Sequence, residues 1–150
     1  RRLSQLIRRL ACLYGRYVHL LHVRPLVSIS EFSEVYLQDT FVFAWHASSD
    51  EVVFHVLAHL SQGHPLATLP SKGDWACYRP GLIVFQSVTS VVGLQPQSSV
   101  ISTQDADGSL DYGTIDSLSV GPNGEFQICG EFGDVTIHAE SLRLLLAPAA

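Results

Sequence analysis

After residue 30 the chain shows the patterns of β-strands. Residues 51–60 are the plainest case: Val52, Phe54 and the alternate apolar residues that follow share one face, while His55 and His59 lie on the other. A two-residue period is typical of a strand with one buried face. An aromatic and β-branched run at 39–46 comes before it, and a polar stretch separates the two. The two runs together predict a β-hairpin.

Five more runs have strand character, and polar or Gly/Pro-rich stretches separate them. The predicted strands are 82–92, 114–120, 125–130, 135–139 and 142–146. The connections at 121–124 and 132–134 are short turns, whereas 64–81 and 95–111 read as longer loops. Because strands follow one another without intervening helices, the sequence predicts a mainly β fold. We expect an antiparallel β-sandwich or small barrel of six to eight short strands, forming a single domain over 31–148.

The first thirty residues follow a helical period instead. Apolar residues recur three and four positions apart at Leu3, Leu6, Ile7, Leu10, Leu13, Tyr14, Tyr17, Val18 and Leu21. This spacing predicts an amphipathic helix over 3–22, which Pro25 cannot continue. Four interpretations stay open at this point. The segment would pack on the rest of the chain, lie on a membrane surface, act as a transit peptide, or be a non-native upstream extension.

Composition and charge narrow the class of protein. Hydrophobic residues make up 47% and charged residues 15% of the chain, which excludes intrinsic disorder. Residues 1–30 hold six arginines and no acidic residue, a formal charge of +6. Residues 31–150 hold three basic and all fourteen acidic residues, a formal charge of −11. An acidic body argues against nucleic acid as a partner, and membrane contact is expected only through residues 1–30.

Three segments carry a resemblance to a known family. They are HPLATLPSKGDWACYRPGLIVF at 64–85, DADGSLDYGTIDSL at 105–118 and GEFGDVTIHAE at 130–140. These segments resemble the motif blocks of a family of small uncharacterised bacterial proteins, over roughly residues 31–140. The resemblance implies a bacterial β-domain, and it implies no activity and no catalytic residue, because the family has no assigned activity.

The acidic stretch at 105–116 is the candidate metal site. Asp105, Asp107, Asp111 and Asp116 place four carboxylates within twelve residues, and calcium prefers such oxygen ligands. The spacing departs from that of an EF-hand loop, and Asp and Gly are also the residues that tight turns favour. A structured acidic turn is therefore the alternative. The histidines are poorer ligand candidates, because His55 and His59 on one strand lie about 13 Å apart.

The loop at 64–81 is the candidate binding site. His64, Trp75, Tyr78 and Arg79 are residue types that dominate binding hot spots. The alternative is that these side chains fasten a long loop to the core. Cys77, next to Arg79, is a weaker candidate nucleophile, and a bridge between Cys77 and Cys129 is less favoured than free thiols.

No motif for nucleophilic catalysis or phosphate binding is present. The sequence therefore favours a non-enzymatic binding or interaction protein of the cytoplasm, with no cofactor and with a protein partner. A toxin-neutralising, immunity-like role is one version of it. Two alternatives remain: a metal-binding protein or metal-dependent hydrolase that uses the acidic loop or the histidines, and a membrane-surface protein attached through residues 1–30.

Overall fold

The computed structural model describes residues 29–149, which are mainly β-strand. Ten strands are present in this part of the chain: β1 Phe41–Ala47, β2 Glu51–Leu60, β3 Cys77–Gln86, β4 Ser90–Val92, β5 Thr103–Gln104, β6 Leu110–Asp111, β7 Ile115–Val120, β8 Phe126–Gly130, β9 Gly133–His138 and β10 Ser141–Leu146. Three single-turn 3₁₀ helices accompany them at Ser30–Phe32, Leu37–Asp39 and Gln97–Ser99. The predicted mainly β class is confirmed.

The first sheet has the order β1-β2-β3-β10, and all its neighbouring strands are antiparallel. The predicted hairpin forms β1 and β2, and a hydrogen bond from the Ser48 amide to the Glu51 carbonyl closes its turn. The longest pairing joins β2 to β3 over ten residues, from Glu51 opposite Gln86 to Leu60 opposite Cys77. This pairing fixes which side chains lie together on each face and at each end of the sheet.

The second sheet has the order β4-β9-β8-β7 and is also antiparallel. Its three longer strands match the predicted runs at 114–120, 125–130 and 135–139 to within two residues at each end. The predicted loop at 95–111 contains one of the 3₁₀ helices, Gln97–Ser99, and the two-residue strands β5 and β6, which pair with each other. Within residues 29–149, neither four-stranded sheet closes on itself.

The two large sheets bury their facing side chains in one core. Alternate residues of β2 and β3, including Phe54 and Phe85, meet Phe126 and Ile128 of β8. Phe54 and Phe85 pack edge to face, and so do Phe85 and Phe126, with ring centroids 6.3 and 5.6 Å apart. These side chains are completely buried. The hydrophobic effect of removing them from water holds the two sheets together.

The region from 64 to 92 departs from the sequence prediction. The strand predicted over 82–92 is two strands, because Ser87 adopts a positive φ of 51° that interrupts the ladder. The loop predicted over 64–81 ends early, and β3 already begins at Cys77 despite Pro80. Proline fits there because its carbonyl accepts from the amide of Ala147, just past the end of β10. In an antiparallel strand the nitrogen and the carbonyl oxygen of one residue point to the same side. The nitrogen of Pro80 therefore faces the side on which β10 has already ended, and the N–H that proline lacks breaks no hydrogen bond between strands.

The helix predicted over 3–22 lies outside the described residues. Within residues 29–149, no helix is both long enough and apolar enough to cross a lipid bilayer.

The shared core predicts a large contrast between two isoleucines. Ile128 is completely buried in β8, whereas Ile101 is 91% exposed. We expect Ile128→Ala to lower the free energy of unfolding by about 2–5 kcal/mol, because it removes buried methyl groups and leaves a cavity. Ile101→Ala is the matched control and should change it by less than about 0.5 kcal/mol. Urea unfolding measures both, and equal losses would contradict the shared core.

Candidate functional site

The loop that joins β2 to β3 is fastened from beneath by β3. Arg79 is buried, and its Nη2 donates to the carbonyl of Leu66 at 2.7 Å and to the Thr68 hydroxyl at 3.3 Å. The Thr68 amide donates to the sulfur of the buried Cys77 at 3.4 Å. Arg79 and Cys77 therefore contact the loop from its inner side, as expected of side chains that fasten a loop to the core.

Four rings from three parts of the chain come together where β2 and β3 run into this loop. His59 lies at the centre, and its ring centroid is 4.7 Å from Tyr36, 5.1 Å from Trp75 and 5.2 Å from Tyr78. Trp75 and Tyr78 also contact each other, edge to face, at 6.0 Å. We call Tyr36, His59, Trp75 and Tyr78 the aromatic cluster.

The register of the first sheet explains the centre of this cluster. His59 is paired directly with Tyr78 across β2 and β3, so their side chains share one face of the sheet. Tyr36 is brought close by a hydrogen bond from its amide to the carbonyl of His59, 2.9 Å long. The His59 amide in turn donates to the hydroxyl of Thr40 at 3.2 Å. The backbone thus positions the rings independently of any ligand.

The cluster is buried at its centre and exposed at its rim. His59 is only 8% exposed, whereas Tyr36 is 52% and Trp75 71% exposed. Each exposed ring packs against the buried imidazole, so it presents a wide apolar surface to solvent with much of its motion already restricted. Rings held in this way are typical of protein-binding surfaces.

Negative charge lies beside the cluster. Oδ2 of Asp39 is 3.5 Å from Nδ1 of His59, an ion-pair distance without hydrogen-bond geometry. Burial and then the charges of Asp39 and Asp74 raise the pKa of the Tyr78 hydroxyl. These carboxylates give the rim of the cluster a negative potential, which favours cationic groups over its rings.

His64 lies at a different place in the loop. Its Nδ1 accepts from the amide of Leu66 at 3.0 Å, and its side chain lines an open groove beside β10. Glu31, Glu34 and Arg143 line the same groove. Of the four predicted binding residues, the structure thus joins Trp75 and Tyr78 in one cluster. It places Arg79 beneath the loop and His64 in this groove.

The carboxylates of the acidic loop are used largely by the loop's own turns. Oδ1 of Asp107 accepts from the amide and the hydroxyl of Ser109. Oδ1 of Asp111 accepts from the amide of Gly113 at 2.7 Å, while burial raises the pKa of the Asp111 carboxyl. Within residues 29–149, no three acidic, His or Cys side chains are grouped so that they could hold a metal ion. Calcium binding through these aspartates, with Asp105 and Asp116, stays a prediction from the sequence.

Two histidines, His46 and His55, lie on the side of the first sheet that faces away from the core. His46 of β1 reaches His55 of β2 across the hairpin, with ring centroids 5.6 Å apart. Burial, with the nearby charge of His46 as the second cause, lowers the pKa of His55 to about 4. His55 is therefore neutral at physiological pH and belongs to a mostly apolar face.

The two thiols of the described part are free. Cys77 is buried under the loop, and Cys129 of β8 donates to Oδ1 of Asp134 at 3.0 Å. That hydrogen bond raises the pKa of the Cys129 thiol.

The sequence did not mark two residues of the aromatic cluster, Tyr36 and His59, as site residues, nor Asp39 at its rim. Tyr36 lies in a stretch without a strand or helix pattern, and Asp39 is only the polar first residue of the predicted run at 39–46, so nothing local marks them as site residues. The two-residue period places His59 on the face of β2 opposite to Val52 and Phe54, and the structure confirms this side. Its neighbours become evident only when β2 is paired with β3 in the observed register.

Comparisons with family models, with curated proteins and with solved structures find no match to this chain. The resemblance to a bacterial family therefore remains an expectation. A function for this chain can be argued only from the geometry of the described residues.

The neutral state of His55 predicts a pH-dependent stability. Its pKa is lower in the folded chain than the ordinary value of 6.5, so the unfolded chain takes up the proton first as the pH falls. We expect the free energy of unfolding to decrease between about pH 6.5 and pH 4. His55→Gln should flatten this decrease, whereas His138→Gln, at an exposed histidine of β9, should not. Urea unfolding at several pH values tests this, and equal slopes for all three proteins would contradict it.

Proposed function

We propose that this chain is a bacterial β-sandwich domain that binds another protein, without catalysis, through the aromatic cluster. The observation that carries the proposal is the pairing of two exposed rings, Tyr36 and Trp75, on one buried imidazole. Large exposed aromatics that are already ordered lose little conformational entropy on binding, so more of the contact energy becomes affinity.

The base beneath the cluster supports this proposal. Trp75 lies two residues before β3, and its loop is held by the hydrogen bonds of the buried Arg79. Tyr36 is held by its backbone hydrogen bond to His59. Rings on separate elements thus keep a fixed spacing, as a complementary surface on a partner requires.

The charge of the body supports a basic partner. Residues 31–150 carry a formal charge of −11, and Asp39 lies at the rim of the cluster. Arg and Lys side chains of a partner would place their cations over the rings of Trp75 and Tyr36 while the acidic surface attracts them. An immunity-like role, in which the domain neutralises a basic toxin, is one version of this function. Its complex should weaken as salt is added, because charge steering is screened.

Removing one exposed ring should weaken binding. The probe is a library of random twelve-residue peptides selected on the purified full chain, with affinities measured by calorimetry. We expect Trp75→Ala to weaken most selected peptides about tenfold or more, as for a hot-spot residue. We also expect these peptides to be rich in Arg and Lys.

Leu69→Ala is the matched control, because Leu69 is 85% exposed in the same loop and lies outside the cluster. It should change the affinities less than about twofold, the range of an energetically neutral interface position. Thermal unfolding of both variants checks that the fold is intact. Selected peptides that bind Trp75→Ala as tightly as the unchanged chain would contradict the proposal.

A further inference from the structure

The carboxylate of Asp39, at the rim of the aromatic cluster, is a hydrogen-bond acceptor without a donor. Asp39 ends the 3₁₀ helix Leu37–Asp39, and its side chain is 51% exposed. Within residues 29–149, no amide or side chain donates a hydrogen bond to either of its carboxylate oxygens. Nδ1 of His59 lies 3.5 Å from Oδ2 without hydrogen-bond geometry and itself has no hydrogen-bond partner. An ionised carboxylate accepts several hydrogen bonds, so both oxygens of Asp39 can receive the donors of a ligand.

The backbone holds this carboxylate beside the rings. The Asp39 amide donates to the carbonyl of Tyr36 at 3.1 Å, and the Thr40 hydroxyl donates to the same carbonyl at 2.9 Å. The amide of Tyr36 donates in turn to the carbonyl of His59 at 2.9 Å. The turn over residues 36–40 is therefore tied to β2, and it keeps the carboxylate at a fixed place next to the cluster.

Two rings of the cluster form a corner that suits a cation. Trp75 and Tyr78 are nearly perpendicular, with an interplanar angle of 79° and ring centroids 6.0 Å apart. A cation is attracted by an aromatic ring within about 6 Å of its centroid, so one cation in this corner is in range of both rings. After the effect of burial, the charges of Asp39 and Asp74 raise the pKa of the Tyr78 hydroxyl. Aromatic surface and negative charge therefore lie together at Tyr78.

Lysine and arginine differ in what a binding site must supply. The ammonium of lysine is compact and strongly hydrated, so a surface made mostly of rings offers it few acceptors in place of water. The guanidinium of arginine is planar and weakly hydrated, stacks on aromatic faces, and donates paired hydrogen bonds to a carboxylate from its edge. A site for arginine therefore needs a ring face and a carboxylate with unused oxygens beside it. Trp75 and Tyr78 supply the first, and Asp39 supplies the second.

We propose that the aromatic cluster binds one arginine side chain of the partner protein, whose guanidinium packs on the rings of Trp75 and Tyr78 and donates to the carboxylate of Asp39. This inference rests on the proposed function, because it names the group that the protein-binding surface recognises. Asp39 is then the residue that selects arginine over lysine, whereas the acidic charge of the body attracts both.

Three short peptides that differ in one side chain test the preference. Each is acetyl-Gly-Gly-Xaa-Gly-Gly-amide, in which Xaa is arginine, lysine or citrulline, and citrulline keeps the shape of arginine without its charge. Each is titrated at low salt into the full-length chain, whose two tryptophans give separate indole N–H signals in NMR. We expect the arginine peptide to shift the signal of Trp75 and to bind about fivefold or more tighter than the other two. The signal of Trp45 should not shift, because its indole donates to the carbonyl of Gln95 at 2.8 Å in the core.

A pair of charge-removing substitutions tests the role of the carboxylate. Asp39→Asn keeps the size of the side chain, and it should weaken binding of the arginine peptide about fivefold or more and reduce its advantage over the lysine peptide to less than about twofold. Asp50→Asn is the matched control, because Asp50 is an exposed carboxylate in the turn before β2, at the opposite end of that strand from His59. It should change each affinity less than about twofold, since charge at that distance is screened. Thermal unfolding checks that both variants are folded.

Four results would overturn the arginine proposal. Equal binding of the arginine and lysine peptides would show that the cluster accepts any cation, and equal binding of the citrulline peptide would show that charge is not recognised. Equal weakening by Asp39→Asn and Asp50→Asn would assign the attraction to the overall charge. An arginine peptide that leaves the Trp75 signal unshifted would place arginine elsewhere.

The comparison of the three peptides on the unchanged chain decides the result even if Asp39→Asn does not fold. Its failure is distinct from a failure of the proposed function, because the selected twelve-residue peptides test protein binding at Trp75 whatever residues they contain. Selected peptides that need Trp75 and carry no arginine would leave the proposed function standing and remove this inference alone.

Discussion

The ten-residue pairing of β2 with β3 is the constraint on which the rest of the described structure depends. It sets the register in which Phe54 and Phe85 meet the second sheet. The same register places Val53 opposite Val84 on the outer side and His59 opposite Tyr78 at the loop end. Because side chains alternate strictly in a strand, a slip of one residue would exchange the core with the outer face and dismantle the aromatic cluster.

This pairing also explains why the binding surface that we propose is ordered. The strands end at Leu60 and Cys77, so the loop between them starts and finishes beside the last ladder residues. In β3 the side chain of Arg79 points to the core side of the sheet, where it holds the loop. The side chain of Tyr78, the residue before it, points to the opposite side, where it contacts His59. One strand thus supplies both the support of the loop and a ring of the surface.

The distribution of charge acts on a longer length scale than these contacts. The acidic body would attract any cationic partner to the rim of the cluster. Contact with the exposed rings would decide where such a partner binds, because surface charge alone specifies no position.

The sequence by itself determined the mainly β class, the hairpin of β1 and β2 and the runs that form β7 to β10. These follow from alternation and turn residues, which act over a few neighbours along the chain. It also offered Trp75 and Tyr78 as candidate binding residues, but it grouped with them His64 and Arg79, which the structure places in a groove and beneath the loop. Spacing along the chain does not show in which direction each side chain of a loop points.

Only the tertiary structure decided the rest. In the structure β3 starts at Cys77, because Pro80 is tolerated at a position where β10 has already ended. It joined Tyr36, His59 and Trp75, which are far apart in the sequence, through strand pairing and one backbone hydrogen bond. It also showed that Val53, Leu82 and Val84, on the face of the first sheet away from the core, are buried. The physical reason is that long-range register, which no short pattern encodes, determines which alternating side chains share a face.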